Sequence, residues 1–101
     1  MAKDIRVKRV ASFIQQEVSE IIQTKLRDEG IKGMISIFDV EVSKDLRYAK
    51  IKISIIANND KELKSTIKSI IKSKSFVRRT LSKSLKTMYA PELYFEFIDL
   101  N

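Results

Sequence analysis

An α+β fold, with helices packed on one face of a three-stranded sheet, is what this 101-residue sequence predicts. Three observations lead to it. Apolar residues recur at three- and four-residue steps from Arg6 to Arg27, the signature of an amphipathic helix. Ala49, Ile51, Ile53, Ile55 and Ala57 alternate strictly with Lys50, Lys52 and Ser54, the signature of a strand with one dry face. A long basic segment from Lys61 to Met88 keeps a helical apolar register but is broken in the middle.

In the first helix the buried face is Val7, Val10, Ala11, Ile14, Val18, Ile21, Ile22 and Leu26. Its start is basic, with Lys3, Arg6, Lys8 and Arg9, which opposes the helix dipole; a solvated first turn is the commoner reading of such a start and a binding role the other. Asp28-Glu29-Gly30 and Lys32-Gly33 stop the helix and form a loop. Met34 to Val42 then reads as a strand whose alternation changes phase between Ile37 and Phe38. Either a bulge lies near Ile37 or part of the strand is covered on both faces. Ser43 to Tyr48 connects it to the alternating strand, and the two are expected to pair antiparallel.

Asn58-Asn59-Asp60 ends that strand and opens a helix; Asn59 and Glu62 have capping-box spacing, with Asp60 as an alternative cap. Leu63, Ile67, Ile70 and Ile71 are its expected packed face. The same register runs on through position 74 to Val77, Leu81, Leu85 and Met88, but position 74 is a lysine. An unbroken helix over this stretch would be about 42 Å long, against a radius of gyration of about 13 Å for a domain of this size. Ser73-Lys74-Ser75 is therefore the predicted kink, with Ser75 capping a further helix from Phe76. Ala90-Pro91 ends that helix, and Leu93, Phe95 and Phe97 alternate with Tyr94, Glu96 and Ile98 as a last strand. The predicted order is α-β-β-α-(kink)-α-β, in a single domain spanning residues 1–101.

Composition narrows the chemistry. With neither Cys nor His, the chain has no disulfide, no thiolate nucleophile, no zinc finger and no Ser-His-Asp arrangement. No cofactor or metal is expected, and no enzymatic activity. Asp39 and Glu41 lie two residues apart and invite a magnesium-dependent hydrolase as a rival reading, but they lack further ligands. No apolar run is long enough to span a membrane and the first residues lack a secretory stretch, so a cytoplasmic protein is expected.

Charge points to a polyanion. The formal net charge is +7, and residues 61–90 hold nine Lys or Arg against one acid, Glu62. Nucleic acid is the simplest partner for such a segment. Lys61, Lys64, Lys68 and Lys72 follow one side of the first of these two helices. The candidate RNA-binding residues are Lys72, Lys74, Arg78, Arg79, Lys83 and Lys86 on phosphates, with Ser73 and Ser75 setting the bend. Phe76 and Tyr89 are the aromatics near enough to stack on a base, although packing into the core is the commoner fate of Phe. A helix-turn-helix DNA binder is the rival within this class, but that motif leaves three strands unexplained.

Several stretches resemble one family. Arg6 to Val10, Val42-Ser43-Lys44-Asp45-Leu46-Arg47-Tyr48-Ala49-Lys50-Ile51, Phe76-Val77-Arg78 and Pro91-Glu92-Leu93-Tyr94-Phe95 are together similar to ribosome-binding factor A. The resemblance implies a type II KH-like domain in which a kink with an Ala-x-Gly pattern replaces the usual Gly-x-x-Gly loop. Here Ser73-Lys74-Ser75 stands at that position. It further implies a non-catalytic assembly factor that binds the small ribosomal subunit and its RNA; a monomer is expected. Such a factor would aid late maturation of the 5′ end of that RNA and serve growth in the cold.

Overall fold

The computed structural model describes residues 2–85 and 90–98. Helix α1 spans Ala2–Glu20 and runs on into a π-helical turn, Ile21–Lys25, which closes when the Leu26 N–H donates to the Ile21 carbonyl at 2.9 Å. Strands β1 (Met34–Val42) and β2 (Tyr48–Ile56) pair antiparallel, as expected. The phase change in β1 is a bulge: the register shifts between Ile37 and Asp39, so Phe38 has no partner. Helices α2 (Asp60–Lys72) and α3 (Lys74–Ser84) follow, and β3 (Glu92–Ile98) returns parallel to β2 to give the sheet order β1-β2-β3. The α-β-β-α-(kink)-α-β order is the predicted one.

All three helices lie on one side of the sheet. Ile14, Val18, Ile21 and Ile22 from the first helical stretch, Ile70 from α2, and Val77 and Leu81 from α3 are buried against Ile35, Val40, Ala49, Ile51, Ile53 and Leu93. The other sheet face is laced by ion pairs and open to water over most of its length, although Ser54, expected to meet water there, is buried. Lys52 Nζ meets Glu41 Oε1 at 2.7 Å and Asp39 Oδ2 at 3.8 Å, while Lys50 Nζ lies 3.7 Å from Glu96 Oε2. These interactions hold the Glu41 carboxyl below its ordinary range and raise the Lys52 ammonium; the shared hydrogen bond is the leading cause for both. Asp39 and Glu41 are thus cross-strand partners of a lysine, and among the described residues no three acidic, His or Cys side chains gather as a metal site would require.

The outer edge of β1 is covered in part by α1. Gln15 Nε2 donates to the Ile37 carbonyl at 3.2 Å and, from the π-helical turn, Gln23 Nε2 donates to the Ile35 carbonyl at 3.0 Å. These amides occupy acceptors that would otherwise be open to a second strand.

Two local expectations are corrected. The first concerns the inward face of α2, which is Thr66, Ser69 and Ile70, while Ile71 is 55% exposed and Leu63 and Ile67 are only half-buried. The reason is the loop after α1, which approaches too closely for large side chains. Ser65 Oγ donates to the Gly30 carbonyl at 2.8 Å, and Thr66 Oγ1 accepts the Lys32 N–H at 2.9 Å. A Cβ on Gly30 would collide with Ser69 Oγ. The second concerns the ends of α3: the helix begins at Lys74, so Ser75 lies inside it and Ser73 takes the N-cap position, and it stops at Ser84, where Leu85 turns out of the helical region at φ −92° and ψ 86°, rather than at Ala90-Pro91. The cap of α2 is Asn59, whose Oδ1 accepts the Glu62 N–H at 2.8 Å.

Candidate nucleic-acid interface

The bend between α2 and α3 is made by one residue. Ser73 adopts φ −83° and ψ 0°, and its N–H is shared between the Ser69 carbonyl at 3.0 Å and the Ile70 carbonyl at 3.1 Å. Its hydroxyl turns inward and donates to the Ile70 carbonyl at 2.7 Å, leaving the residue only 9% exposed. A serine can shape this turn because its side chain satisfies an acceptor on the closing turn of α2. That inward commitment also takes Ser73 out of reach of a surface ligand. No side chain caps the start of α3, so the N–H groups of its first turn are not engaged by a capping side chain.

The cations lie on the outside of this bend. Lys61, Lys64, Lys68 and Lys72 are exposed along α2, and Ser75, Arg78, Arg79 and Lys83 are exposed along α3. Ser75, Arg78, Arg79 and Ser82 line a shallow hollow of about 310 Å³ closed by Ala90. Arg78 is steadied there by its Nη2, which donates to the Ala90 carbonyl at 3.2 Å. Lys74 departs from the solvated position expected of a kink residue: it is half-buried, with Nζ 5.2 Å from the centre of the Tyr94 ring. Phe76 is 36% exposed beside the bend. Lys86 and Tyr89 lie outside the described residues.

The structure adds residues that the sequence places only in a connector. The β1–β2 loop is held by a network centred on Asp45: its Oδ1 accepts from the Ser43 hydroxyl at 2.6 Å and from the Arg47 N–H at 3.1 Å. Ser43 Oγ in turn accepts the Tyr48 N–H at 3.0 Å. The Ser43 hydroxyl, the Arg47 N–H and the nearby Arg47 guanidinium, in that order, hold the Asp45 carboxyl below its usual range. The network supports Leu46 at φ 63°, a left-handed conformation unfavourable for a branched side chain. The Arg47 carbonyl then accepts the Glu92 N–H at 2.8 Å, which ties the loop to the start of β3. Arg47 and Tyr48 are thereby brought beside Arg78, Ala90 and Pro91. No periodicity could have shown this, because it depends on parallel pairing between residues as far apart in the chain as Tyr48 and Glu92.

A family model described as ribosome-binding factor A matches residues 6–99. The chain belongs to the ribosome-binding factor A family. Relatives bearing that name include one from Clostridium perfringens, 39% identical over 92% of this chain and 80% of its own length. Another, from Caldicellulosiruptor saccharolyticus, is 41% identical over 93% of this chain and 70% of its own length. Among solved structures, the solution structure of a Thermotoga maritima protein described as a ribosome binding factor A is similar, with TM-score 0.69 and 30% identity over 90% of this chain and 85% of that one. The crystal structure of ribosome-binding factor A from Thermus thermophilus gives TM-score 0.75 over 90% of this chain and 93% of that one, at 14% identity. A homology model of the Thermus thermophilus factor, fitted into a cryo-electron-microscopy map of its complex with the 30S subunit, gives TM-score 0.67, covering 84% and 87% at 15% identity. These last two bear on the fold alone, and that fold is the expected KH-like α+β arrangement with three helices and a mixed three-stranded sheet. Among the described residues no helix is long and apolar enough to cross a membrane.

Proposed function

We propose that this chain is a non-catalytic assembly factor that binds the small ribosomal subunit through its RNA. It acts as one KH-like RNA-binding domain over residues 1–101, as a monomer in the cytoplasm. It aids late maturation of the 5′ end of the small-subunit RNA and serves growth in the cold, as the family resemblance implies.

The observation that supports this reading best is the row of exposed cations that continues from α2 into α3 around Ser73. Lys72, Arg78, Arg79 and Lys83 meet phosphates there; Lys86 extends the row in sequence. The uncapped first turn of α3 adds backbone donors. Ser73 sets the bend, and Ser75 lies within hydrogen-bond reach of a phosphate seated in the hollow it shares with Arg78 and Arg79. Lys and Arg spaced along a helix recognise the path of a backbone, so shape and phosphate position are read before base sequence. Membership of the ribosome-binding factor A family, shown by the match over residues 6–99, is in keeping with a ribosomal partner.

Crosslinking to immature small subunits, with sequencing of the attached RNA, tests the reading. The expected result is a confined set of small-subunit RNA positions joined to peptides carrying Lys72, Arg79 or Lys83. Crosslinks to ribosomal proteins alone, or duplex DNA bound as tightly as the subunit, would overturn it.

A further inference from the structure

Two tyrosines on the sheet face away from the helices have no part in the core. Tyr48 opens β2 and Tyr94 lies in β3, where the parallel register sets Lys50 opposite Tyr94 and Glu92 opposite Tyr48. Their ring centres are 5.9 Å apart at 40°, and they remain 47% and 48% exposed. Lys74, the first residue of α3, reaches round to place Nζ over the Tyr94 ring. The cationic row on the helices and this aromatic pair on the sheet therefore meet at a single side chain.

Beside the pair is a cavity of about 410 Å³, walled by the 45–47 loop, Tyr48, Arg78 and residues 90–92. Its walls are already braced by the Asp45 network, the bond from the Glu92 N–H to the Arg47 carbonyl and the bond from Arg78 to the Ala90 carbonyl. Of the acids nearby, Asp45 is engaged by Ser43 and Arg47 and Glu96 by Lys50, while Glu92 on the cavity wall is in none of the described ion pairs. Exposed aromatic faces flanked by Lys74, Arg78 and Arg47 suit a flat ring carrying a phosphate. An unpaired nucleotide has that chemistry; a base stacked inside a duplex hides the face these rings would take.

We propose that Tyr48 and Tyr94, joined to the phosphate-binding row through Lys74, form a stacking site for unpaired bases of the bound RNA. The assignment rests on the RNA-binding function proposed above and adds to it a requirement for single-stranded character. Sequence order hides the site, because Phe76 and Tyr89 are the aromatics nearest the basic segment while this pair is assembled by the sheet.

The test compares a labelled single-stranded oligoadenylate with an abasic ribose-phosphate oligomer of the same length. The wild-type chain is expected to bind the base-bearing strand about tenfold more tightly. Tyr48→Ala and Tyr94→Ala are expected to remove most of that preference, with the slope of affinity against salt unchanged; Tyr48→Phe and Tyr94→Phe are expected to retain it. Independently of any variant, oligoadenylate should shift the ring-proton resonances of both tyrosines in the wild-type chain. Alanine variants that keep the full preference, or rings that do not respond while amides of α3 do, would overturn the stacking site and leave the phosphate-binding row standing. The same holds if the alanine variants lose small-subunit binding but bind oligoadenylate normally, since the face would then serve a protein. If neither oligomer binds in a salt-dependent manner, the RNA-binding function fails and the stacking site with it.

Discussion

Neutralising two cations on α3, in the double substitution Arg79→Gln and Lys83→Gln, should weaken RNA binding by an amount set by counterion release. The two residues are four apart on one helix, both exposed, and neither is held by an acid among the described ion pairs. Their removal leaves no buried partner unsatisfied, so the thermal midpoint should stay near that of the wild type. Each phosphate left without its cation lowers the slope of log affinity against log salt by about 0.7 for a single strand and about 0.9 for a duplex. Two such phosphates therefore reduce the slope by about 1.4 to 1.8, and at 0.1 M salt the affinity falls roughly 25- to 60-fold relative to a 1 M reference state. The assay is fluorescence anisotropy with a labelled small-subunit RNA fragment at several salt concentrations, with Lys25→Gln as a substitution outside the row. A double variant whose slope equals that of the wild type would refute the assignment of these side chains to phosphates. A weakening equal to that produced by Lys25→Gln would reduce the effect to net charge.

Gly30→Ala should destabilise the fold by about 1 to 3 kcal/mol in urea denaturation, because the added methyl collides with Ser69 Oγ on the inward face of α2; adding Ser69→Ala should recover part of that stability. The Asp45 carboxyl has a lowered folded value, so its contribution to loop stability is fully present above the ordinary 3.8 and is lost as pH falls through that lowered value. The Arg47 amide resonance should report this transition, and Asp45→Asn should abolish its titration. Replacing Gln15 and Gln23 together by Ala frees the Ile37 and Ile35 carbonyls on the edge of β1. The variant should associate in a concentration-dependent way, visible by light scattering, while the wild-type chain does not.

Periodicity was most legible where one side of an element meets water and the other does not. The β2 alternation placed Ala49, Ile51 and Ile53 in the core, and the phase change in β1 left a bulge or a doubly covered strand, of which the structure has the bulge. The break at Ser73 could be read from a lysine in an apolar register between two serines. The inward face of α2 could not be read this way, since Thr66 and Ser69 look like solvent-facing residues until the Gly30 loop is laid against them.

By itself the sequence determined the element order, the concentration of positive charge on the two helices around one bend, and the absence of thiol and imidazole chemistry. These follow from local patterns and composition, which a chain carries before it folds. Only the tertiary structure decided that Ser73 faces inward, that Lys74 lies against an aromatic ring, and that Tyr48 and Tyr94 stand side by side. The physical reason is register. A parallel pairing between β2 and β3 is set by the packing of α2 and α3 beneath the sheet, and no spacing within either strand encodes which residues it will bring together.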